Sequence, residues 1–257
     1  MNQQLLDAVL RSPKDDAARL AAADGFESSG DRDRAELIRV QVRRAALERA
    51  EQETAELREL TGTHLRLTRS LVPRLEPGLR RHGLELRYDR GFAETAAGDA
   101  AAWARAGLRS EAPILALDLS GAELALDALL GALPGIISLD LSRSRLSEAQ
   151  ILQLAASPAV AGLTWLDLRY SCRLSVQGLQ ALAASPHLRG LRWLGVAGTF
   201  DELLDQPIED DERLVDWRPT VLGEALEAAH GSLSWLHYRP RSLRFYPPPR
   251  CQFLEGP

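Results

Sequence analysis

Two kinds of side chain recur at matched places in the C-terminal half of the chain, and both could do chemistry. Tryptophan stands before the central leucine of a repeated motif in three copies: Trp165, Trp193 and Trp235. Aspartate stands after that leucine in three copies: Asp118, Asp140 and Asp167. Exposed tryptophans anchor protein interfaces because each buries a large area with little loss of entropy. A row of carboxylates repels itself and could attract a cation or a basic peptide.

A histidine beside one of these carboxylates could support acid–base catalysis. Of the five histidines, only His237 stands at a motif position, and Asp167 lies two copies earlier. The sequence contains no glycine-rich phosphate loop, nucleotide fingerprint, His-Glu-x-x-His motif or Cys-x-x-Cys pair. No loop of oxygen ligands accompanies the aspartates, which disfavours a specific metal site. We therefore predict a protein that is not an enzyme and that uses neither a cofactor nor a metal.

The repeated motif consists of an apolar residue, two variable residues, leucine, one variable residue and a further large apolar residue. It occurs at least five times, in these copies: Ile114/Leu117/Leu119, Ile136/Leu139/Leu141, Leu163/Leu166/Leu168, Leu191/Leu194/Val196 and Leu233/Leu236/Tyr238. The alternation of apolar and variable residues within it is that of a β-strand. The stretch that follows, for example 148–155, has helical spacing. Central leucines 22 to 28 residues apart in the first four copies predict a solenoid.

One strand and one helix in each period resembles the leucine-rich repeat, particularly the longer ribonuclease-inhibitor-like type. The resemblance covers about residues 80–240 and implies an α/β solenoid whose parallel strands line the concave side and whose helices cover the convex side. Neighbouring strands lie about 4.8 Å apart, so the residues flanking the central leucine form two columns on the concave face. In that family the turn after each strand often carries Asn or Cys, and here these residues take that place: Ala122, Ser144, Cys172 and Thr199.

An earlier, degenerate copy of the motif is predicted at Leu84/Leu86, followed by a helix over 98–109. Before it, the apolar spacing and the positions of Pro, Asp and Gly predict three helices. The first covers 3–10, the second ends near Ser29, and the third starts near Asp31. The third is expected to extend to about Leu60, with or without a break.

Several N-terminal segments resemble the bacterial repeat-companion domain, a short helical unit found beside repeats: 5–10, 13–16, 19–20, 23–24, 30–31 and 35–41. Arg90-Gly91-Phe92 resembles a segment that this family tends to carry before its repeats. The resemblance covers about residues 3–45 and implies no biochemical activity. Four polar residues of the unit could form an internal ion-pair network, which we favour because buried charges must be paired, or a docking site: Arg19, Asp24, Glu36 and Arg39.

These patterns divide the chain into four parts. A helical module of the repeat-companion kind covers 1–62, and a helical connection and N-terminal cap covers 63–82. The leucine-rich array covers 83–240 and carries an acidic insertion at 199–220, which also contains apolar residues. A Pro-rich C-terminal cap or tail covers 241–257.

Composition narrows the classes of partner. The chain has 257 residues and a net charge of −5, so it lacks the basic footprint that draws a protein to nucleic acid or to anionic lipid. It shows neither a secretory leader nor an apolar run of membrane-spanning length, which predicts a cytoplasmic location. Lys14 is the only lysine among 31 basic residues, a bias typical of a GC-rich, bacterial genome. Two distant cysteines, Cys172 and Cys251, make a disulfide framework improbable.

We therefore expect a scaffold that binds a protein partner on the concave face, through these residues: Trp165, Trp193, Trp235, Asp118, Asp140, Asp167, Arg169 and His237. Two alternatives for the face remain open. The aspartates could face only water or the arginines at 169 and 239, and the tryptophans could be covered by the segment between the fourth and fifth copies.

A second hypothesis for function is an accessory subunit that docks through the N-terminal module with the repeats as a spacer. An enzyme acting through Asp167 or His237 is the third.

Overall fold

The protein is an α/β protein that divides into two compact units. A computed structural model describes residues 3–50, 54–75, 83–108, 111–122, 125–171, 175–196, 228–229 and 236–237. Met1–Ala97 and Arg105–Ala116 belong to the first unit, and Gly98–Ala104 and Leu117–Phe253 belong to the second. Among the described helices, none combines the length and the apolarity needed to cross a membrane.

The first unit begins with four helices: α1 (Gln3–Arg11), α2 (Asp16–Ser28), α3 (Arg32–Arg49) and α4 (Ala55–Leu75). Asp15 caps α2 by accepting a hydrogen bond from the Ala17 amide, and Asp31 caps α3 by accepting one from Arg34. Gly30 takes a left-handed φ of 90° between them, which an L side chain resists. The first three predicted helices are confirmed. Helix α4 runs through residues 62 and 63 without interruption, so the boundary predicted there does not coincide with a helix end.

A β-hairpin completes this unit, with β1 (Glu85–Asp89) antiparallel to β2 (Phe92–Ala97). Asp89 pairs with Phe92, and the two residues between them have φ values of 44° and 83°. Left-handed φ at both positions is what a two-residue type I′ turn requires. The prediction of a degenerate motif copy at Leu84/Leu86 is therefore wrong, since that segment forms a hairpin and not a parallel strand.

The hairpin turn is seated on helix α3. The Gly91 amide donates to the Gln41 side-chain oxygen over 2.5 Å. A Cβ atom on Gly91 would lie 2.0 Å from Cγ1 of Ile38, so only glycine fits there. Phe92 joins the same buried cluster as Ile38. The hairpin thus packs with the helices of the first unit.

The second unit is built from short parallel strands: β3 (Ala116–Asp118), β4 (Ser138–Asp140), β5 (Trp165–Asp167), β6 (Trp193–Gly195) and β7 (Leu236–His237). They are neighbours in chain order, and the sheet does not close. Helices α6 (Leu126–Gly131), α7 (Glu148–Ala156) and α8 (Val176–Ala184) follow β3, β4 and β5. The helix predicted over 98–109 is α5 (Ala100–Ala106). The acidic insertion at 199–220 and the tail at 241–257 lie outside the described residues.

The same turn follows three successive strands. Residues two positions after Leu119, Leu141 and Leu168 all have left-handed φ values of 71°, 61° and 57°, at Gly121, Arg143 and Tyr170. In each turn, the backbone amide of the next residue donates a hydrogen bond to the carbonyl of that leucine. These amides belong to Ala122, Ser144 and Ser171. The position predicted for Cys172 is therefore held by Ser171, one residue earlier. Cys172 and Thr199 themselves lie outside the described residues.

The motif leucines form the core of this unit, as the alternation predicted. Seven of them have no exposed surface: Leu117, Leu119, Leu139, Leu141, Leu166, Leu168 and Leu194. Ser144 ties neighbouring turns together, because its hydroxyl donates to the Leu119 carbonyl over 3.0 Å. A serine at the predicted turn position thus bridges two neighbouring turns.

Replacement of Gly91 by alanine should destabilise the first unit much more than the same change at Gly30. Both glycines have left-handed φ, so each substitution carries a backbone strain of roughly 1–2 kcal/mol. Only at Gly91 does the new methyl group meet Ile38, and overpacking of this kind typically adds about 1–3 kcal/mol. Thermal unfolding of the two variants measures the difference. Equal melting temperatures for Gly91→Ala and Gly30→Ala would refute the packing argument.

Candidate functional site

The predicted columns exist in the second unit. The backbone register aligns Asp140 with Asp167, Gly195 and His237 along β4 to β7. One step earlier it aligns Ser138 with Trp165 and Trp193. Asp118 ends the adjacent strand β3, which the Leu119 amide joins to the Asp140 carbonyl over 2.9 Å. Of His237 only the backbone is described, and Trp235 lies outside the described residues.

Trp165 and Trp193 are not exposed, so the prediction that they are surface anchors is wrong. Their rings stack with centroids 4.5 Å apart and planes 11° from parallel. Their exposed fractions are 0% and 1%. The physical reason is the strand spacing, since two flat rings on adjacent strands are at stacking distance and cover each other. The alternative of covering within the molecule agrees with this burial, although the segment proposed as the cover is not described.

The stacked pair explains why the aspartate column stops at Gly195. Positions 193 and 195 lie on one face of the strand. A Cβ atom at 195 would be 2.3 Å from Cη2 of Trp193 and 3.0 Å from Oδ1 of Asp167. An aspartate at this position is therefore excluded by the indole ring.

Each aspartate of the column caps the turn that follows its strand. The Asp140 carboxylate accepts the Ser142 amide over 2.9 Å, and Asp167 accepts the Arg169 amide over the same distance. Asp118 accepts the Ser120 hydroxyl over 2.8 Å. A side chain that bonds the amide two residues later stabilises a turn in this way. The aspartates of the column thus hold the turn backbone. Asp167 also contacts Arg169, in agreement with the alternative that the aspartates face water or arginine.

Asp167 and Arg169 form a salt bridge in which Arg169 donates to both carboxylate oxygens. Nε of Arg169 lies 2.9 Å from both carboxylate oxygens, and Nη2 lies 2.6 Å from Oδ2. Burial raises the pKa of Asp167, while the hydrogen bonds and the charge of Arg169 oppose that shift. The guanidinium group also lies 5.8 Å from the centroid of the Trp193 ring. Arg169 therefore compensates a buried charge and is held against the tryptophan pair.

This geometry does not favour catalysis by Asp167, because both of its oxygens accept hydrogen bonds from Arg169. Within the described ranges, no three His, Cys, Asp or Glu side chains come together in a way that could hold a metal ion. The proposed partner of Asp167, the imidazole of His237, lies outside the described side chains. The aspartate column stabilises the turns through the hydrogen bonds that its carboxylates accept.

The turns themselves contain the residues that the sequence analysis missed. Arg143, Arg145 and Tyr170 have left-handed φ values of 61°, 53° and 57°. Both arginine side chains are exposed, and Tyr170 is half-buried. A signal was available, because Gly121, Arg143 and Tyr170 each stand two residues after the last leucine of a motif copy. The glycine at the first of these positions shows that the turn requires a left-handed residue.

In the first unit, the four polar residues expected to form one network belong to separate groups. Arg39 pairs with Asp24 at 2.6 Å and Glu36 pairs with Arg66 at 3.1 Å, both at the surface. Arg19 is fully buried and pairs with Glu94 at 2.8 Å. Arg90 pairs with the same carboxylate at 2.9 Å. Burial raises the pKa of Glu94, and the two guanidinium groups oppose that shift.

Comparison of the chain with protein-family models, with curated proteins and with solved structures gave no match.

Replacement of Gly195 by alanine should destabilise the second unit and disturb the tryptophan stack. The new methyl group would overlap a buried, rigid ring, and overpacking of this kind typically costs about 1–3 kcal/mol. Gly190→Ala is the matched control, because a Cβ there meets two carbonyl oxygens at 3.6 and 4.0 Å, which are ordinary contacts. Denaturant unfolding and near-ultraviolet circular dichroism give the readout. Indistinguishable spectra and midpoints for the two variants would show that the ring does not lie over Gly195.

Proposed function

We propose that this protein is a non-enzymatic interaction scaffold whose second unit is a leucine-rich-repeat solenoid, and that it binds a protein partner through its turns. Three turn residues with left-handed backbone φ form what we call the turn surface: Arg143, Arg145 and Tyr170. The repeated strand, turn and helix, aligned leucine to leucine in parallel strands, supports the family. The first unit would then be the companion module that its N-terminal motifs resemble.

The observation that carries the proposal is the backbone conformation of the turn surface. A side chain with left-handed φ costs roughly 1–2 kcal/mol relative to glycine. Gly121 meets the same requirement in the first turn at no such cost. Long side chains kept at a strained backbone position are typical of functional sites. The exposure of Arg143 and Arg145 leaves these side chains accessible to a partner.

The charges of the turn surface favour an acidic partner. Within the described part of the chain, no ion pair engages Arg143 or Arg145, in contrast to Arg169. Two free guanidinium groups on a chain of net charge −5 attract carboxylates and bind them through paired hydrogen bonds. Arginine and tyrosine are also the residue types enriched at the energetic centres of interfaces. We therefore expect the partner to present an acidic patch.

Docking through the N-terminal helices has less support. Three arginines of these helices are paired: Arg39 with Asp24 and Glu27, Arg43 with Glu56, and Arg66 with Glu36. Among the described residues of these helices, no side chain has the left-handed φ that carries the proposal. Binding by the stacked tryptophans is not proposed, because their faces are covered in this structure.

Arg143→Gly should leave the stability of the fold unchanged or raise it by up to about 1 kcal/mol, since it removes the left-handed strain. Arg189→Gly is the control, because Arg189 is also exposed in a turn but has ordinary φ. That change should lower stability by roughly 0.5–1 kcal/mol through the entropy of glycine. Chemical denaturation compares the two. A larger loss at position 143 than at 189 would mean that Arg143 stabilises the fold.

The triple change of Arg143, Arg145 and Tyr170 to glycine should abolish capture of the native partner while the protein remains folded. Partners captured by the unaltered chain are identified by mass spectrometry, and each is then measured against the variants. Arg189→Gln with Arg192→Gln removes the same two charges elsewhere on the unit and should leave binding intact. Full binding by the triple variant would exclude the turn surface and would favour docking through the N-terminal helices.

A further inference from the structure

A chain of hydrogen bonds joins helix α4, helix α3 and the hairpin turn in the first unit. Nε2 of Gln41 lies 3.0 Å from Nδ1 of His64 and donates to the Tyr88 carbonyl over 3.3 Å. The Gln41 oxygen accepts the Gly91 amide. Thr68 Oγ1 lies 3.3 Å from the same His64 nitrogen. Gln41 is fully buried, so water does not replace these bonds.

Two backbone groups fix the orientation of the Gln41 amide. The Gly91 N–H can only donate, so the atom facing it is the side-chain oxygen. The Tyr88 carbonyl can only accept, so the atom facing it is the side-chain nitrogen. The second hydrogen of that nitrogen is directed to Nδ1 of His64. Nδ1 must therefore be an acceptor, which requires a neutral imidazole that carries its proton on Nε2.

The charged groups around His64 come from two elements besides its own. Helix α3 contributes Arg44, which pairs with Glu48 at 3.3 Å, and strand β1 contributes Asp89, which lies 4.0 Å from Arg44. Burial lowers the pKa of His64, the charge of Arg44 lowers it further, and Asp89 opposes both. The surroundings thus favour the neutral form that the hydrogen bonds require.

We propose that His64 is a pH-sensitive latch, which holds the hairpin turn on helix α3 when neutral and releases it when protonated. Protonation places a hydrogen on Nδ1 against the donor hydrogen of Gln41, and that bond is lost. A flipped amide would face the Gly91 N–H with its own NH₂ group and the Tyr88 carbonyl with its oxygen. Both contacts are repulsive, so no orientation of Gln41 satisfies a protonated His64 and the turn together.

Release of the turn affects a larger region, because Arg90 precedes Gly91. The Arg90 guanidinium donates to the Lys14 and Pro13 carbonyls at 3.3 Å and pairs with Asp16 at 3.0 Å. These contacts hold the connection between α1 and α2. Since the folded pKa of His64 lies below its ordinary value, the free energy that holds the latch closed is fully present above about pH 6.5 and is lost as the pH falls from there to the folded pKa.

Amide hydrogen exchange of the Gly91 N–H in the full chain tests the latch. After correction for the intrinsic pH dependence of exchange, protection of Gly91 should fall by up to about tenfold for each pH unit below about 6.5, and should level off below the folded pKa. The Ala35 amide, which donates within the same unit to the Asp31 carbonyl at 3.2 Å, reports global opening and should keep its protection. Constant protection at Gly91, or equal loss at Gly91 and Ala35, overturns the proposal.

Two variants sharpen the test. His64→Phe removes the titrating group, so the pH dependence at Gly91 should disappear. Gln41→Glu keeps an oxygen for the Gly91 amide and places a second one opposite Nδ1, so it should favour protonated His64 and raise the pKa measured for that residue by NMR. A pKa of His64 that is unchanged by Gln41→Glu would show that the two side chains are not coupled, and would contradict the latch even if His64→Phe failed to fold.

Discussion

The second unit depends on one backbone hydrogen bond that recurs from strand to strand. The amides of Leu119, Leu141 and Leu168 donate to carbonyls of the next strand, at Asp140, Asp167 and Gly195, over 2.8 to 2.9 Å. This bond fixes the register leucine to leucine. Because side chains alternate along a strand, the register also decides which side chains share a face. The buried leucines, the stacked tryptophans and the row of turns all follow from it.

The same register places the aspartates and tryptophans where they stabilise the fold, and leaves the turn residues accessible. Aspartates at the strand ends accept turn amides, and the pair Asp167–Arg169 neutralises a charge that burial would otherwise destabilise. The tryptophans stack and become inaccessible. What remains outside is the next segment of the chain, the left-handed turn. Arg143, Arg145 and Tyr170 stand there although glycine would fit the backbone better, which is why we propose that a partner binds the turns and not the columns.

Local periodicity allowed the helices, the parallel strands and the two columns to be predicted from the sequence, because each depends on residues close together in the chain. Exposure of the tryptophans could not be predicted in the same way, since alternation says which side chains share a face and not what covers it. The hairpin was missed because Gly91 packs on Ile38 and bonds to Gln41, both about 50 residues earlier. The turns could have been found by aligning the motif copies on their last leucine, because Gly121, Arg143 and Tyr170 then fall at the same position.

Site-specific photo-crosslinking tests the central claim most directly. A benzophenone amino acid is placed at position 143 or 170 in the turns, or at position 149, an exposed residue of helix α7. Each protein is irradiated with the captured partner. The account predicts crosslinks from positions 143 and 170 and none from 149. Crosslinks from 149 with none from the turns would contradict it, since the partner would then contact the helices.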